Sequence, residues 1–278
     1  MPFINYNGNI IDAGVPVATA ASRGLRYGDG LFETMKMLKG KIVHEAEHLQ
    51  RLWHGMELLQ FELRKHFSKE KLIAAIQALA QKNGHQAAAR IRLNVCRGEG
   101  GLYDPANHFP NFIIETWPLQ TNNQLNINGV VAGIYEDARK SCDILSNIKH
   151  NNYLPYVLAA IKAKKEKWND ALVLNQFGRI ADSTISNIFI IKNEKIVTPP
   201  LAEGCVSGIM RQKMIQFLQK QYHIEEAALT IEDILKADEV MLTNSISIIR
   251  WVQQIQQSRY QSNMIQKIYP AFAATILG

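Results

Sequence analysis

Cysteine, long apolar runs and metal-binding spacings are scarce or absent in this sequence. The 278 residues include three cysteines, Cys96, Cys142 and Cys205, and none forms a CxxC pair, which argues against a disulfide framework. No apolar run approaches the roughly 18 residues of a membrane-spanning helix, and the first residues lack the pattern of a secretion signal. The histidines lack partners at metal-binding spacing. We therefore expect a cytoplasmic protein with reduced cysteines and with neither a membrane span nor a metal site.

Charge of one sign is not concentrated in any stretch. Lysine and arginine number 31 against 25 acidic residues, so the net charge is +6, but the densest basic run, 162–167, includes Glu166. Such a run is typical of a solvated helix face. Because no nucleic-acid recognition motif accompanies the charge, we expect no nucleic-acid partner. A mildly basic protein that acts on an anionic small molecule fits this composition better.

The chain is long enough for two modest domains. Residues 118–123, PLQTNN, combine proline with polar residues and show no apolar periodicity, so they are the expected linker. Residues 1–118 predict a smaller α+β domain with helices on a mostly antiparallel sheet. Residues 124–278 predict a larger domain that binds a cofactor. The expected fold class is therefore α/β (α+β), in two domains.

Local signals predict the main elements. Residues 31–44 read as a hairpin that turns at Lys39-Gly40, because the apolar pattern on both sides has the period of a strand. Residues 45–61 have an apolar stripe at helical spacing. Ser68 precedes a second helical pattern and is its expected N-cap, and Ser207 is the expected N-cap of a later helix.

Three chemical groups follow one another between Asn147 and Arg211. Lys149 precedes a helix whose apolar residues recur at helical spacing. Asp182 follows a hairpin and precedes the apolar strand 187–191. The third group is the helix start at 207–211, SGIMR, where free backbone N–H groups and the helix dipole favour a phosphate. Pyridoxal 5′-phosphate requires a lysine amine, a partner for its ring nitrogen and a binding site for its phosphate. We therefore expect this cofactor.

Six motifs in one order resemble the class IV aminotransferases, the fold-type IV pyridoxal-phosphate enzymes. Each motif alone is weak, but together they extend over nearly the whole chain. The resemblance implies a two-domain fold-type IV enzyme, similar to D-amino-acid aminotransferase, that acts on a small amino-bearing substrate as a homodimer. The motifs are RGLRYGDGLFET at 23–34, HLQRL at 48–52, KHNNY at 149–153, SNIF at 186–189, GIMR at 208–211 and TNS at 243–245.

The resemblance also implies a role for each matching residue. Lys149 would bind the cofactor covalently and move protons, Tyr153 would face its phenolic oxygen, and Asp182 would face its pyridine nitrogen. A charge at that nitrogen keeps the ring an electron sink. The residues implied to contact the phosphate are Arg51, Ser245 and, through their backbone N–H groups, Ile209 and Met210.

Two of these positions depart from the family pattern, and each implied role has an ordinary alternative. Glutamate is usual where Asp182 stands, and aspartate is one methylene shorter. Many relatives have threonine where Met210 stands, so a hydroxyl is missing here. The alternatives are a surface amine for Lys149, a solvated helix position for Arg51, packing for Tyr153, a turn cap with Ser183 and Thr184 for Asp182, and a strand end for Ser245.

Around the substrate, the family uses the positions of Tyr27, Thr34 and Arg97. Branched-chain aminotransferases usually have glycine at the Thr34 position, and the Arg-x-His pair of D-amino-acid aminotransferases is replaced by Leu102-Tyr103-Asp104. The chain resembles aminodeoxychorismate lyases in FET at 32–34, and again in CRGEGG at 96–101, KH at 149–150 and GIMR at 208–211. The leading interpretation is therefore elimination of pyruvate to give 4-aminobenzoate, the folate precursor. The alternatives are a branched-chain or D-amino-acid transaminase that uses 2-oxoglutarate, and a non-catalytic protein that binds pyridoxal phosphate.

Overall fold

The computed structural model describes residues 2–65, 67–104, 107–120 and 124–277, and the chain divides into two compact units. One unit is Met1–Asn122 with Ile148–Asn152, and the other is Asn123–Asn147 with Tyr153–Gly278. The segment that carries Lys149 thus groups with the first unit. Residues 121–123 of the expected linker lie outside the described residues. Within the described ranges, no helix is long and apolar enough to cross a membrane.

The first unit packs helices on one face of an antiparallel sheet. Its strands are β1 (Phe3–Tyr6), β2 (Asn9–Asp12), β3 (Gly30–Leu38), β4 (Lys41–Ile42), β5 (Ala88–Arg97) and β6 (Pro110–Pro118). Its helices are α1 (Arg23–Tyr27), α2 (Glu45–Leu58) and α3 (Lys69–Lys82). The strand order is β2-β1-β6-β5-β3-β4. The apolar core joins Met35 of β3 and Ile91 of β5 to Leu52 of α2 and Ile76 of α3.

Local chemistry explains the elements of this unit. Lys39 and Gly40 have φ values of 49° and 74°, and two consecutive positive φ angles are what a two-residue type I′ hairpin turn needs. The predicted hairpin is confirmed, with β3 and β4 as its strands. The Ser68 hydroxyl accepts a hydrogen bond from the Lys71 N–H at 3.4 Å, so Ser68 caps α3 as predicted. Helix α2 ends at Leu58, three residues before the predicted end, because Gln60 has a positive φ of 56°.

The second unit is built on a nine-stranded mixed sheet. Its strands are β7 (Val130–Lys140), β8 (Asp170–Asn175), β9 (Ile180–Ser183), β10 (Asn187–Lys192), β11 (Lys195–Thr198), β12 (Ile224–Glu226), β13 (Glu239–Asn244), β14 (Ile248–Ile255) and β15 (Ser258–Arg259). Its helices are α4 (Leu154–Lys165), a 3₁₀ turn (Leu201–Glu203), α5 (Ile209–Leu218), α6 (Ile231–Leu235) and α7 (Asn263–Leu277). The order β12-β11-β10-β13-β14-β7-β8-β9 is completed by β15, which pairs with β14.

The position of strand β10 in the sheet explains why its sequence is a continuous apolar run. Ile188 belongs to the core on one face of the sheet, together with Leu242 and Val252. Its neighbour Phe189 belongs to the core on the other face, which α5 and α7 cover. A strand buried on both faces needs apolar side chains at successive positions rather than at alternate ones.

One predicted helix start is wrong. Helix α5 begins at Ile209 and its N-cap is Gly208, whereas Ser207 was expected to cap it. The Ser207 and Gly208 N–H groups are held by the Asn147 and Val206 carbonyls at 2.9 and 2.8 Å, which keeps both residues in the preceding loop. The Ser207 hydroxyl instead accepts a hydrogen bond from the Gln212 side chain at 2.9 Å.

Candidate cofactor and substrate site

Lys149 lies beside the start of β3, in the first unit. The Lys149 carbonyl accepts a hydrogen bond from the Phe32 N–H at 2.9 Å, and the Asn151 N–H donates to the Gly30 carbonyl at the same distance. The half-buried side chain places its Nζ 4.3 Å from the centre of the Phe32 ring. An ammonium over an aromatic face is attracted to the negative face of the ring. Main-chain pairing and this contact together give the Lys149 amine a defined place.

Thr34 belongs to the same face of β3 as Phe32. Successive side chains of a strand alternate between faces, so Phe32 and Thr34 share one face while Glu33 takes the other. In the register of β3 and β5, Thr34 lies opposite Arg92. The Arg92 guanidinium carbon is 4.1 Å from the centre of the Phe32 ring. One ring therefore contacts the Lys149 amine and the Arg92 guanidinium on the sheet face that carries the Thr34 hydroxyl.

Arg51 is held by a buried carboxylate on the opposite face of β3. Its Nε and one terminal nitrogen donate to the two oxygens of Glu33 at 2.8 and 2.6 Å, and His48 Nδ1 lies 2.7 Å from Glu33. Burial alone would raise the pKa of Glu33, but Arg51 and His48 outweigh it and lower that pKa to about 2. The Arg51 guanidinium predicted to contact phosphate is thereby fixed in direction. The sequence motif contains Glu33, but no role for it was predicted.

Tyr27 and Arg97, both predicted to contact substrate, line one cavity of about 700 Å³ in the first unit. The Arg97 guanidinium donates to the Asp29 carboxylate at 2.8 Å, to the Gln60 carbonyl at 3.1 Å and to the Leu59 carbonyl, and it lies 3.1 Å from His108 Nδ1. These contacts use most of the five N–H groups of an arginine. Arg97 therefore shapes the cavity wall, whereas Tyr27 is exposed there.

Asp182 lies in β9 of the second unit, where 2% of its surface is exposed. Its carboxylate accepts hydrogen bonds from Lys140 Nζ at 3.1 Å, from the Val206 N–H at 3.0 Å and from the Tyr156 hydroxyl at 2.9 Å. Burial and the Asp182 charge hold the pKa of Tyr156 well above its usual range, so its hydroxyl stays a donor. The Tyr153 ring stacks on that of Tyr156, with centroids 4.1 Å apart.

The turn cap considered for Asp182 is made by another residue. Asp170 accepts hydrogen bonds from the Ser183 hydroxyl at 3.2 Å and from the Thr184 hydroxyl at 2.6 Å. Asp182 points to Lys140 and Tyr156 instead. The side chains of Lys140 and Tyr156 were missed by sequence reasoning. Their signal in the sequence is slight: a tyrosine three residues after Tyr153, and a lysine at the end of a strand.

The N-terminus of α5 adjoins Asp182 through Val206. The Val206 N–H binds Asp182, and the Val206 carbonyl accepts from the Asn187 side chain at 2.8 Å. A Cβ at Gly208 would overlap Asn187 Oδ1, so glycine is required at this N-cap and it leaves the helix end without a capping side chain of its own. Ile209 and Met210 form the first turn, with buried side chains.

Ser245 follows the end of β13, within the turn before β14. The Asn244 side chain shapes that turn by accepting hydrogen bonds from the Ile246 and Ser247 N–H groups at 3.0 and 2.8 Å. Ser245 therefore lies in an Asx turn that the Asn244 side chain stabilises, just beyond the strand.

These residues suit pyridoxal phosphate. The helix end at Gly208 offers backbone N–H groups to a phosphate, with no side chain on the N-cap residue itself. Asp182 offers a carboxylate to the ring nitrogen, and it keeps acceptor capacity because its Oδ1 is contacted, among the described residues, by the Tyr156 hydroxyl alone. Lys149 offers an amine of defined position.

Comparisons with known proteins point to the same family as the sequence motifs. The family described as amino-transferase class IV matches residues 30–255. The aminodeoxychorismate lyase of Vibrio harveyi is 31% identical over 81% of this chain and 82% of that protein. A putative branched-chain-amino-acid aminotransferase of Methanocaldococcus jannaschii is 30% identical over 88% of this chain and 85% of that protein. The solved branched-chain aminotransferase of Thermoproteus uzoniensis, with norvaline, has a TM-score of 0.89 at 23% identity, covering 99% of this chain and 95% of that chain.

The structural likeness confirms the predicted fold-type IV architecture, which is α/β with two domains. The match over 30–255 confirms the prediction of an enzyme that uses pyridoxal phosphate, because that is the cofactor of the family. Its members act on small amino-bearing molecules. The chain belongs to the class IV aminotransferases.

Proposed function

We propose that this enzyme is a 4-amino-4-deoxychorismate lyase, which splits its substrate into pyruvate and 4-aminobenzoate. The observation that carries the proposal is the hydroxyl of Thr34 on the face of β3 whose Phe32 ring contacts the Lys149 amine. Branched-chain enzymes usually have no side chain at that position. The proposal is also supported by the 31% identity to the lyase of Vibrio harveyi.

Each residue has a task in this reaction. When bound, pyridoxal phosphate draws electron density from the carbon that carries the substrate amine. Lys149 would hold the cofactor covalently and, once the substrate amine has displaced it, would take the proton from that carbon and pass it toward the fragment that leaves as pyruvate. Thr34 donates a proton to the departing enolpyruvyl fragment. Asp182 accepts a hydrogen bond from the ring nitrogen, and Arg51, Ser245 and the N–H groups of Ile209 and Met210 hold the phosphate.

Replacing Thr34 by glycine tests the assignment. Loss of a positioned acid costs on the order of 10²-fold or more, so Thr34→Gly should lower the rate of 4-aminobenzoate release by that factor. Transamination of amino donors, followed as 2-oxoglutarate consumption, should change far less because the cofactor contacts are untouched. Thr34→Ser, which keeps the hydroxyl, is the matched control. Wild-type protein that forms no 4-aminobenzoate yet transaminates a branched-chain or D-amino acid briskly would disprove the lyase proposal.

A transaminase that uses 2-oxoglutarate is the second candidate. The 30% identity to the putative branched-chain aminotransferase of Methanocaldococcus jannaschii favours it. Arg92, opposite Thr34 on the same face, supplies a cation that suits a substrate carboxylate in either reaction. Measuring pyruvate, 4-aminobenzoate and 2-oxoglutarate in one substrate panel separates the two.

We further propose that the enzyme works as a homodimer. Helix α4 exposes an apolar stripe whose members are 45–66% exposed. Exposed apolar stripes mark protein–protein contacts, and a two-fold axis allows one stripe to cover its own copy. The stripe, called the α4 stripe below, consists of Leu154, Val157, Leu158 and Ile161.

A further inference from the structure

Lys140, which has no role in the proposed reaction, forms a buried ion pair with Asp182. It ends β7, and its side chain, 8% exposed, reaches Asp182 of β9 with Nζ 3.1 Å from Oδ2. Lys140 Nζ also donates to the hydroxyl of Tyr156 on α4. Burying an ammonium and a carboxylate costs several kcal/mol per ion unless the pair and its hydrogen bonds offset the loss of water. Side chains of β7 and α4 thus meet at one carboxylate of β9.

The two oxygens of Asp182 are used unequally. A carboxylate accepts about four hydrogen bonds, two at each oxygen. Oδ2 faces Lys140 Nζ at 3.1 Å, the Val206 N–H at 3.0 Å and the Tyr156 hydroxyl at 2.9 Å. Oδ1 faces that hydroxyl at 3.1 Å. The acceptor capacity of Asp182 therefore remains at Oδ1, while Oδ2 is saturated by the chain itself.

Lys140 is the cation beside Asp182, with Nζ 3.1 Å from Oδ2. A buried carboxylate is costly unless a cation and hydrogen bonds offset its loss of water. Charge-assisted hydrogen bonds are also roughly twice as strong as neutral ones, so the contact from Lys140 holds the carboxylate firmly in place.

We propose that Lys140 and Tyr156 are positioning residues that hold Oδ2 of Asp182 and direct its Oδ1 to the ring nitrogen of pyridoxal phosphate. The proposal rests on the assignment of Asp182 to that nitrogen under the proposed function. Aspartate is one methylene shorter than the glutamate usual in the family. The contacts of Oδ2 with Lys140, the Val206 N–H and Tyr156 fix the direction of this side chain.

The test compares two ligands of the full-length chain freed of cofactor: pyridoxal phosphate and its 1-deaza analogue, which has carbon in place of the ring nitrogen. Their dissociation constants give a nitrogen preference that does not depend on turnover. Wild-type protein should prefer pyridoxal phosphate. Lys140→Met and Tyr156→Phe should each lower this preference about tenfold, the worth of one hydrogen bond to a charged group, with the analogue's constant nearly unchanged. Lys164→Met, at an exposed lysine of α4, is the matched control and should keep the wild-type preference.

The possible results test two claims separately: the positioning role of Lys140 and Tyr156, and the assignment of Asp182 to the ring nitrogen. If both dissociation constants rise by the same factor in Lys140→Met, the residue supports the fold only, and the positioning role is wrong. A retained or increased preference also overturns it. If wild-type protein shows no preference, the assignment of Asp182 to the ring nitrogen fails, and the positioning role falls with it. Tyr156→Phe, which keeps the ring that stacks on Tyr153, decides the matter if Lys140→Met does not fold.

Discussion

Glu33 orients Arg51, a predicted site residue, but has no part in the proposed reaction. It sits in the signature of β3, but its side chain leaves the face of Phe32 and Thr34 and enters the core beside α2. There a charge is tolerable because Arg51 and His48 together donate to both of its oxygens. Arg51 gains a fixed direction from the same contacts.

The free energy of unfolding should record this network through its pH dependence. The pKa of Glu33 is lowered from 4.5 to about 2, so its stabilising effect is complete above pH 4.5 and is lost as the pH falls toward 2. Glu33→Gln should lower the free energy of unfolding at pH 7 by about 3 kcal/mol, and the difference should shrink below pH 4.5. Urea unfolding at pH 7, 4 and 3 measures it. Glu57→Gln, at an exposed position of α2, is the control. A difference that is constant from pH 7 to pH 3 would contradict the assignment.

Single residues also mark the limit of sequence reasoning. Lys149 and Asp182 could be named because each stands at a fixed distance from a recognisable neighbour along the chain. Lys140 could not, because its partner Asp182 is 42 positions away and only the pairing of β7, β8 and β9 brings the two together. A lysine at the end of a strand otherwise indicates a solvated edge. Tertiary contact, not local pattern, makes it part of the site.

At the scale of elements, the start of α5 combines three constraints. Gly208 must lack a side chain because Asn187 fills that space, Asn187 holds the Val206 carbonyl, and the Val206 N–H holds Asp182. The helix start that we propose to bind the phosphate is therefore linked through Val206 to Asp182, the proposed partner of the ring nitrogen. The helix start was predicted here, but with Ser207 as the N-cap, because serine is a common N-cap residue. The hydrogen bond that keeps Ser207 in the loop is accepted by Asn147, which is far away in the sequence.

Gly208→Ala should weaken the binding of the phosphate more than it disturbs the rest of the proposed site. Its Cβ would push against Asn187 and displace the first turn of α5. We expect affinity for pyridoxal phosphate to fall about tenfold, the worth of one hydrogen bond to a charged group, and affinity for pyridoxal, which has no phosphate, to stay nearly constant. Fluorescence titration of both ligands measures it. An equal loss for both ligands would show that the helix start does not bind the phosphate.

Helix α4 shows what apolar spacing does and does not predict. The recurrence of Leu154, Val157, Leu158 and Ile161 predicts a helix, and the helix forms at Leu154–Lys165. The same spacing usually marks the buried side, yet α4 packs on its sheet through small residues, Ala159 and Ala163, together with Tyr156. The spacing of apolar residues predicts that a segment is helical. It does not predict whether the apolar side packs on the same chain or on a partner.

At the scale of the whole molecule, the α4 stripe carries the prediction of a dimer. Leu158→Lys combined with Ile161→Lys places two charges on it, and burying unpaired charge costs several kcal/mol. We expect the double variant to sediment as a monomer at micromolar concentration while the wild type sediments as a dimer. Ile127→Lys, at an apolar residue that is 86% exposed, is the control and should leave the mass unchanged. A dimeric double variant would exclude the α4 stripe as the interface.

The most direct test of the account is to identify the lysine that holds the cofactor. Borohydride reduction of the yellow holoenzyme, followed by peptide mapping, should place the pyridoxyl group on Lys149, and Lys149→Ala should lose both the label and turnover. Among the described residues, Lys36 and Lys140 are buried and are the informative competitors: burial lowers the pKa of Lys36, and Lys140 pairs with Asp182. Label on Lys36 or Lys140 in the wild-type protein, or full labelling of Lys149→Ala, would contradict the account.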